Sequence, residues 1–171
     1  SPADPEASPF GWHDTDGVPG AEFTITRGNN VHAYEDRDGD GETLNNEPDG
    51  GDSLHFDFPW DPTWEPEQIL DAATTNLFYW NNFLHDFAWH YGLDEVAGNF
   101  QAFNYTGEGE AGDYVQARAQ QGADTGNSNN ANFGTPPDGG NGTMNMYIWT
   151  TSGAKYLQVT QPVVIAGKYS T

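Results

Sequence analysis

One stretch, residues 66–91, constrains this chain more than any other. Apolar residues recur there at Ile69, Leu70, Ala73, Leu77, Trp80, Phe83, Leu84, Phe87, Ala88 and Tyr91. That is a helical period with one wide apolar face. Pro66 suits a first turn, where the N–H it lacks would have no partner anyway. Glu65 and Glu67 flank the positive end of the helix dipole, and Gly92 is a natural stop. A helix this long and this aromatic is predicted to be a core helix.

Period-two alternation predicts strands over residues 21–27, 31–34, 54–58, 114–119 and 143–149. Leu157 and Val159 suggest a last strand, which Pro162 ends or forces to an edge. Residues 1–20 are rich in Pro and Gly and read as an extended N-terminal segment, with Phe10 and Trp12 as anchors. The start, Ser1-Pro2-Ala3-Asp4-Pro5, looks like an end left by processing.

Charge narrows the partners. Twenty-six Asp and Glu against five Lys and Arg give a formal charge of −21. Such a surface repels nucleic-acid phosphates and anionic membranes, so neither is an expected partner. Sparse aliphatics with high net charge warn of disorder, but six Trp, eight Tyr and ten Phe carry a large burial payload that disordered chains lack. There is no Cys, which excludes disulfides and thiolate-bound zinc. No apolar run approaches the ~20 residues that span a bilayer, and no signal peptide is visible.

Residues 36–47 fit Asp-x-Asp-x-Asp-Gly-x5-Glu, the pattern of a calcium loop. Asp36, Asp38 and Asp40 would converge on one cation, with Gly41 permitting the turn. The Glu42 backbone carbonyl would fill the seventh position, and Glu47 would sit where the bidentate ligand belongs. The flanks look like strands and loops rather than two helices, and the stretch reads equally as a solvated acidic connection. His85 and His90 are five residues apart, roughly 140° around a helix axis, so they read as ordinary helix histidines and not as a zinc pair. No Gly-x-Ser-x-Gly elbow and no Gly-rich phosphate loop followed by Lys is present.

Residues 129–139 (Asn-Asn-Ala-Asn-Phe-Gly-Thr-Pro-Pro-Asp-Gly) are small, polar and turn-forming and lead into the alternating stretch 143–149. An edge strand of this kind can take up an extended peptide by strand addition. Taken alone, the residues fit better a plain connection before a core strand.

Several blocks together resemble the fungalysin family of zinc metallopeptidases, in its bacterial form. They are Ser8-Pro9-Phe10-Gly11-Trp12-His13; Thr26-Arg27-Gly28-Asn29-Asn30; Ala73-Thr74-Thr75-Asn76-Leu77-Phe78-Tyr79-Trp80-Asn81-Asn82 with His85-Asp86; Tyr91-Gly92-Leu93-Asp94-Glu95 with Ala97-Gly98-Asn99-Phe100; and residues 129–139 with 144–149. The resemblance implies an α+β fold: the β-rich N-terminal subdomain of a thermolysin-like catalytic domain, over residues 21–171, with the core helix behind the sheet. It implies a secreted, extracellular zinc endopeptidase whose His-Glu-x-x-His motif lies beyond Thr171, so this chain supplies no zinc ligand and no catalytic residue and is inactive alone. In bacterial relatives a protease-associated domain can interrupt the chain after a stretch similar to residues 163–169. The edge-strand pair that grips the substrate backbone would be Asn130 and Ala131, with Asn129 and Phe133 flanking the cleft. The expected partners are a peptide or protein substrate and the C-terminal part of the same protease, because the half-cleft face should be apolar or poorly covered. The alternative is a calcium-stabilised extracellular peptide- or glycan-binding module without catalysis. A carbohydrate-active enzyme using paired carboxylates is a weaker third reading.

Overall fold

The computed structural model describes residues 2–43 and 47–150. Four short strands, β1 (Val31–Glu35), β2 (Val115–Ala119), β3 (Ala131–Gly134) and β4 (Thr143–Met146), and one long helix, α1 (Leu70–Trp89), make an α+β fold. The sheet order is β1-β2-β4-β3. β1 runs parallel to β2 and β2 parallel to β4, whereas β3 pairs antiparallel with β4 and closes one edge. A 3-10 turn, Pro66–Ile69, leads into α1, and the Gln68 side chain reaches back to the Glu65 N–H at 3.0 Å. At the far end Gly92 takes φ +92°, a left-handed value that glycine adopts freely. The Leu93 N–H then returns to the Ala88 carbonyl at 3.1 Å and closes the helix.

α1 lies against β1 and β2. Both strands present alanines there (Ala33 and Ala117, each fully buried), and small side chains let the helix approach closely. The core is correspondingly small: Trp12, Val31, Ala33, Phe78, Val115 and Ala117, with Leu77, Phe100 and Met144 partly buried against it.

The helix face turned inward is not the one its periodicity predicts. The buried positions of α1 are Thr74, Phe78, Asn82 and Asp86. Trp80, Phe83, Leu84, Phe87 and Tyr91 stay exposed, Tyr91 at 78%. The two stripes lie roughly opposite one another at 100° per residue. What makes the polar stripe buriable is its hydrogen bonding. Asp86 accepts from four donors: the Asp4 backbone N–H at 3.0 Å, Ser8 Oγ at 2.7 Å, Trp12 Nε1 at 2.6 Å and His85 Nδ1 at 3.1 Å. Asn82 accepts from Asn30 Nδ2 at 3.1 Å and donates to the Phe78 carbonyl at 2.9 Å. Residues 2–20 contain no helix or strand; these bonds to Asp86 fasten their first half to α1.

Two predicted strands are not formed. Residues 21–27 make only isolated bridges, Ile25 to Asp49 and Arg27 to His32. Around Leu54 the chain turns instead of extending, with φ +52° at that residue. The alternation of Phe56 and Phe58 serves an aromatic cluster: Phe56 stacks on His13 at 5.5 Å and contacts Phe78 at 6.2 Å and Phe58 at 6.5 Å. Alternation reports one shared face, and a face can be used without a ladder. The strand predicted over 143–149 ends at Met146, because its partner reaches Asn129 with φ +57° and the ladder becomes irregular. The strand predicted around Leu157 and Val159 lies outside the described residues.

Candidate substrate-binding edge and acidic loop

Among the described residues β3 has a partner on one side only. The Tyr147 N–H donates to the Asn130 carbonyl at 3.3 Å, and Ala131 faces Met146 while Phe133 faces Met144. In an antiparallel ladder, bonded and non-bonded pairs alternate. Asn130, Asn132 and Gly134 therefore turn their backbone groups toward β4. The backbone groups of Ala131 and Phe133 turn away from the sheet, along an edge whose four residues are all exposed.

The side chains around this edge do different work. Asn129 is spent locally: its Oδ1 accepts the Thr150 N–H and its Nδ2 donates to Thr150 Oγ1, both at 2.8 Å. Asn130 Oδ1 accepts the Ala131 N–H at 2.9 Å. Asn132 bridges Asn145 Nδ2 at 2.8 Å and the Tyr147 hydroxyl at 3.3 Å, across the strand pair. Phe133 packs edge-on against Phe100, ring centroids 5.8 Å apart. It also lines a cavity of about 300 Å³, mostly apolar, with Leu84, Phe87, Phe100 and Met144. The edge strand and the exposed face of α1 thus share one apolar surface.

The loop after β3 is anchored from behind. Buried Asp113 accepts the Gln101 N–H at 2.9 Å and the Gly139 N–H at 3.2 Å. Burial pushes its pKa above the usual carboxylate range, and those two N–H donors oppose the shift.

The structure brings Asp36, Asp38 and Asp40 together, one carboxylate oxygen from each within 4.8 Å of the others. Asp36 is fully buried and its Oδ2 accepts no hydrogen bond, although Arg118 Nη1 stands 3.7 Å from it. The Glu42 N–H donates to Asp40 Oδ1 at 2.8 Å, and the Glu42 side chain is exposed. Glu47 takes a different partner: its Oε1 accepts from His32 Nε2 at 2.7 Å. Burial lowers the His32 pKa and Glu47 opposes the shift.

The helix histidines are separate. His85 receives Asn99 Nδ2 on Nε2 at 3.1 Å and donates to Asp86 from Nδ1. His90 pairs with Asp4 Oδ2 at 3.0 Å, which raises the His90 pKa and lowers that of Asp4 to about 2. Among the described residues no histidine belongs to a cluster of potential metal ligands.

Sequence patterns did not single out Asp86 as the centre of a buried network, because its donors lie 74 to 82 positions away apart from neighbouring His85. They also missed Phe100 as the support of Phe133. No short-range periodicity marks either.

Comparison with known proteins agrees with this architecture. The family model for fungalysin metallopeptidase matches residues 1–167. Extracellular metalloproteinase 2 of Arthroderma benhamiae is 46% identical over 145 residues, 85% of this chain and 22% of the relative. Extracellular metalloproteinase 5 of Trichophyton tonsurans is 43% identical over 145 residues, 85% of this chain and 23% of the relative. Extracellular metalloproteinase 2 of Arthroderma otae is 44% identical over 148 residues, 86% of this chain and 22% of the relative. The chain spans less than a quarter of the length of these relatives. A family match over nearly all of the 171 residues places the chain in the fungalysin metallopeptidase family.

Proposed function

We propose that this chain forms the substrate-binding wall of a secreted zinc metalloendopeptidase, with the zinc motif in sequence outside these 171 residues. The observation that carries the reading is the open edge of β3. The outward backbone groups of Ala131 and Phe133 are spaced to pair with an extended peptide, as in strand addition. The cavity beside Phe133 would receive an apolar substrate side chain. Asn130 would hand its Ala131 N–H to the substrate carbonyl, and Asn129 would fix the bend that presents the pair. In the complete enzyme, zinc supplies the polarised carbonyl and activated water of peptide hydrolysis; the residues here bind and orient the peptide.

The exposed aromatic face of α1 fits the C-terminal part of the same protease as its partner. A contiguous apolar surface of this kind is rarely left to solvent. Calcium is a second part of the reading. Asp36, Asp38 and Asp40 offer the hard oxygen donors it prefers, with the Glu42 carbonyl beside them. Glu47 would complete the set by exchanging His32 for the ion.

The test is kinetic, in the full-length protease. Ala131→Pro removes an outward N–H and should lower kcat/KM for peptide substrates by about tenfold or more, the value of one lost hydrogen bond of 1.4 kcal/mol or above. Ala131→Gly, which keeps that N–H, should lose far less. Equal kcat/KM in parent and proline variant would sink the reading, as would chelator-sensitive cleavage of casein by the 171-residue chain alone.

A further inference from the structure

We propose a second cation site at Asp14, Asp16 and Glu22, taking a hard divalent ion of the calcium type. It is separate from the acidic loop at residues 36–47 and matches no sequence pattern. The three residues bring one carboxylate oxygen each to within 4.8 Å of one another. One oxygen of each is already held by hydrogen bonds. Asp14 Oδ1 accepts the Gly17 N–H and the Tyr105 hydroxyl, both at 3.0 Å. Asp16 Oδ1 accepts the Val18 N–H at 2.8 Å. Glu22 Oε2 accepts the Thr15 N–H, and the Thr15 hydroxyl at 3.2 Å.

The independent sign of a ligand is Asp14 Oδ2. Asp14 is fully buried, and this oxygen is shielded from water with no hydrogen-bond partner. A buried carboxylate oxygen left without a partner is costly, and native structures rarely tolerate one. No cationic group answers it: among the described residues no side-chain nitrogen of Lys, Arg or His forms an ion pair within 4.0 Å of a carboxylate oxygen of Asp14, Asp16 or Glu22. Asp36 in the other acidic loop has Arg118 nearby, so the pocket at Asp14 is the more electrically naked of the two. Its field is felt by Tyr105, whose phenol is pushed well above its usual range by burial, by its bond to Asp14 and by the charges of Asp14, Glu22 and Glu95. Asp16 and Glu22 are exposed, so the remaining coordination positions of an ion would be open to water, as calcium sites allow. Bound there, the ion would lock residues 14–22 to the Tyr105 loop.

The experiment counts ions on the full 171-residue chain by calcium titration calorimetry and by tyrosine-sensitised terbium emission. Tyr105 touches Asp14 and is a donor for that emission. D16N/E22Q alters two exposed carboxylates and should leave the circular dichroism spectrum unchanged. It should lose one bound ion, or bind it about tenfold or more weakly, as expected when two charged ligands are removed. D38N/D40N should keep that ion and its terbium emission. Unchanged stoichiometry and affinity in D16N/E22Q overturns the site, and so does the absence of any bound ion in D38N/D40N. Should the double variant lose helical signal, the same readout on Asp16→Asn alone decides.

Discussion

The two faces of α1 invert the usual arrangement. One face carries Thr74, Asn82 and Asp86 around Phe78 and is buried; the other carries Trp80, Phe83, Leu84 and Phe87 and is exposed. Hydrophobicity alone would turn the helix the other way, since each buried large side chain contributes about 1.5–3 kcal/mol. The difference teaches that helix orientation here is set by specific hydrogen bonds to residues 4–12 and to Asn30. Among the described residues nothing covers the aromatic face, which on the proposed reading meets the C-terminal part of the protease. Within the described residues the helix packs on β1 and β2; the second partner is the one proposed above.

The comparison can be broken in order of expected effect. Asp86→Ala leaves the Trp12 and Ser8 donors and the Asp4 N–H without an acceptor, and should cost about 3–5 kcal/mol of unfolding free energy in chemical denaturation. If the loss stays under 1 kcal/mol, by the usual size of surface substitutions, the polar face is not what fixes the helix. Phe78→Ala on the same face should cost about 3–5 kcal/mol by the cavity it leaves. Phe87→Ala on the opposite face should change the stability of this chain by roughly 0.5 kcal/mol. In the complete protease Phe87→Ala should become costly, because the aromatic face would then be covered. Equal effects of Phe87→Ala in both settings would remove the second partner.

A smaller and sharper test uses pH. Asp86 is buried, which raises its pKa, but the bonds from His85, Asp4, Trp12 and Ser8 together hold it below the ordinary value. A carboxylate with a lowered native pKa contributes stability that is complete above its unfolded pKa of about 3.9. That stability is lost as pH falls through the native value. Unfolding free energy should therefore decline below about pH 4 in the parent chain. Asp86→Asn should flatten that part of the curve, and an unflattened acid limb would assign it to other carboxylates, such as Asp4.

How much of this was legible follows from the range of each interaction. The helix and its Gly92 stop depend on neighbours in sequence, and both stand where periodicity and turn chemistry put them. The same is true of the β1, β2 and β4 cores. The strand predicted at residues 54–58 failed because Phe56 and Phe58 share a face with His13 and Phe78 rather than with a ladder partner. The acidic pattern at residues 36–47 brought three aspartates together as its spacing implies, yet Glu47 pairs with His32, which the string could not show. The cluster at Asp14, Asp16 and Glu22 has no such string.

By itself the sequence determined the family, the α+β class, the long helix and the exposed, turn-rich stretch that contains β3, because local periodicity, turn residues and ordered blocks carry that information. Only the tertiary structure decided which face of α1 is buried, which backbone groups of β3 point outward, that Asp14, Asp16 and Glu22 meet, and that Glu47 pairs with His32. Those depend on partners tens of residues away, and a side chain's distant hydrogen bonds leave no periodic trace in the chain that makes them.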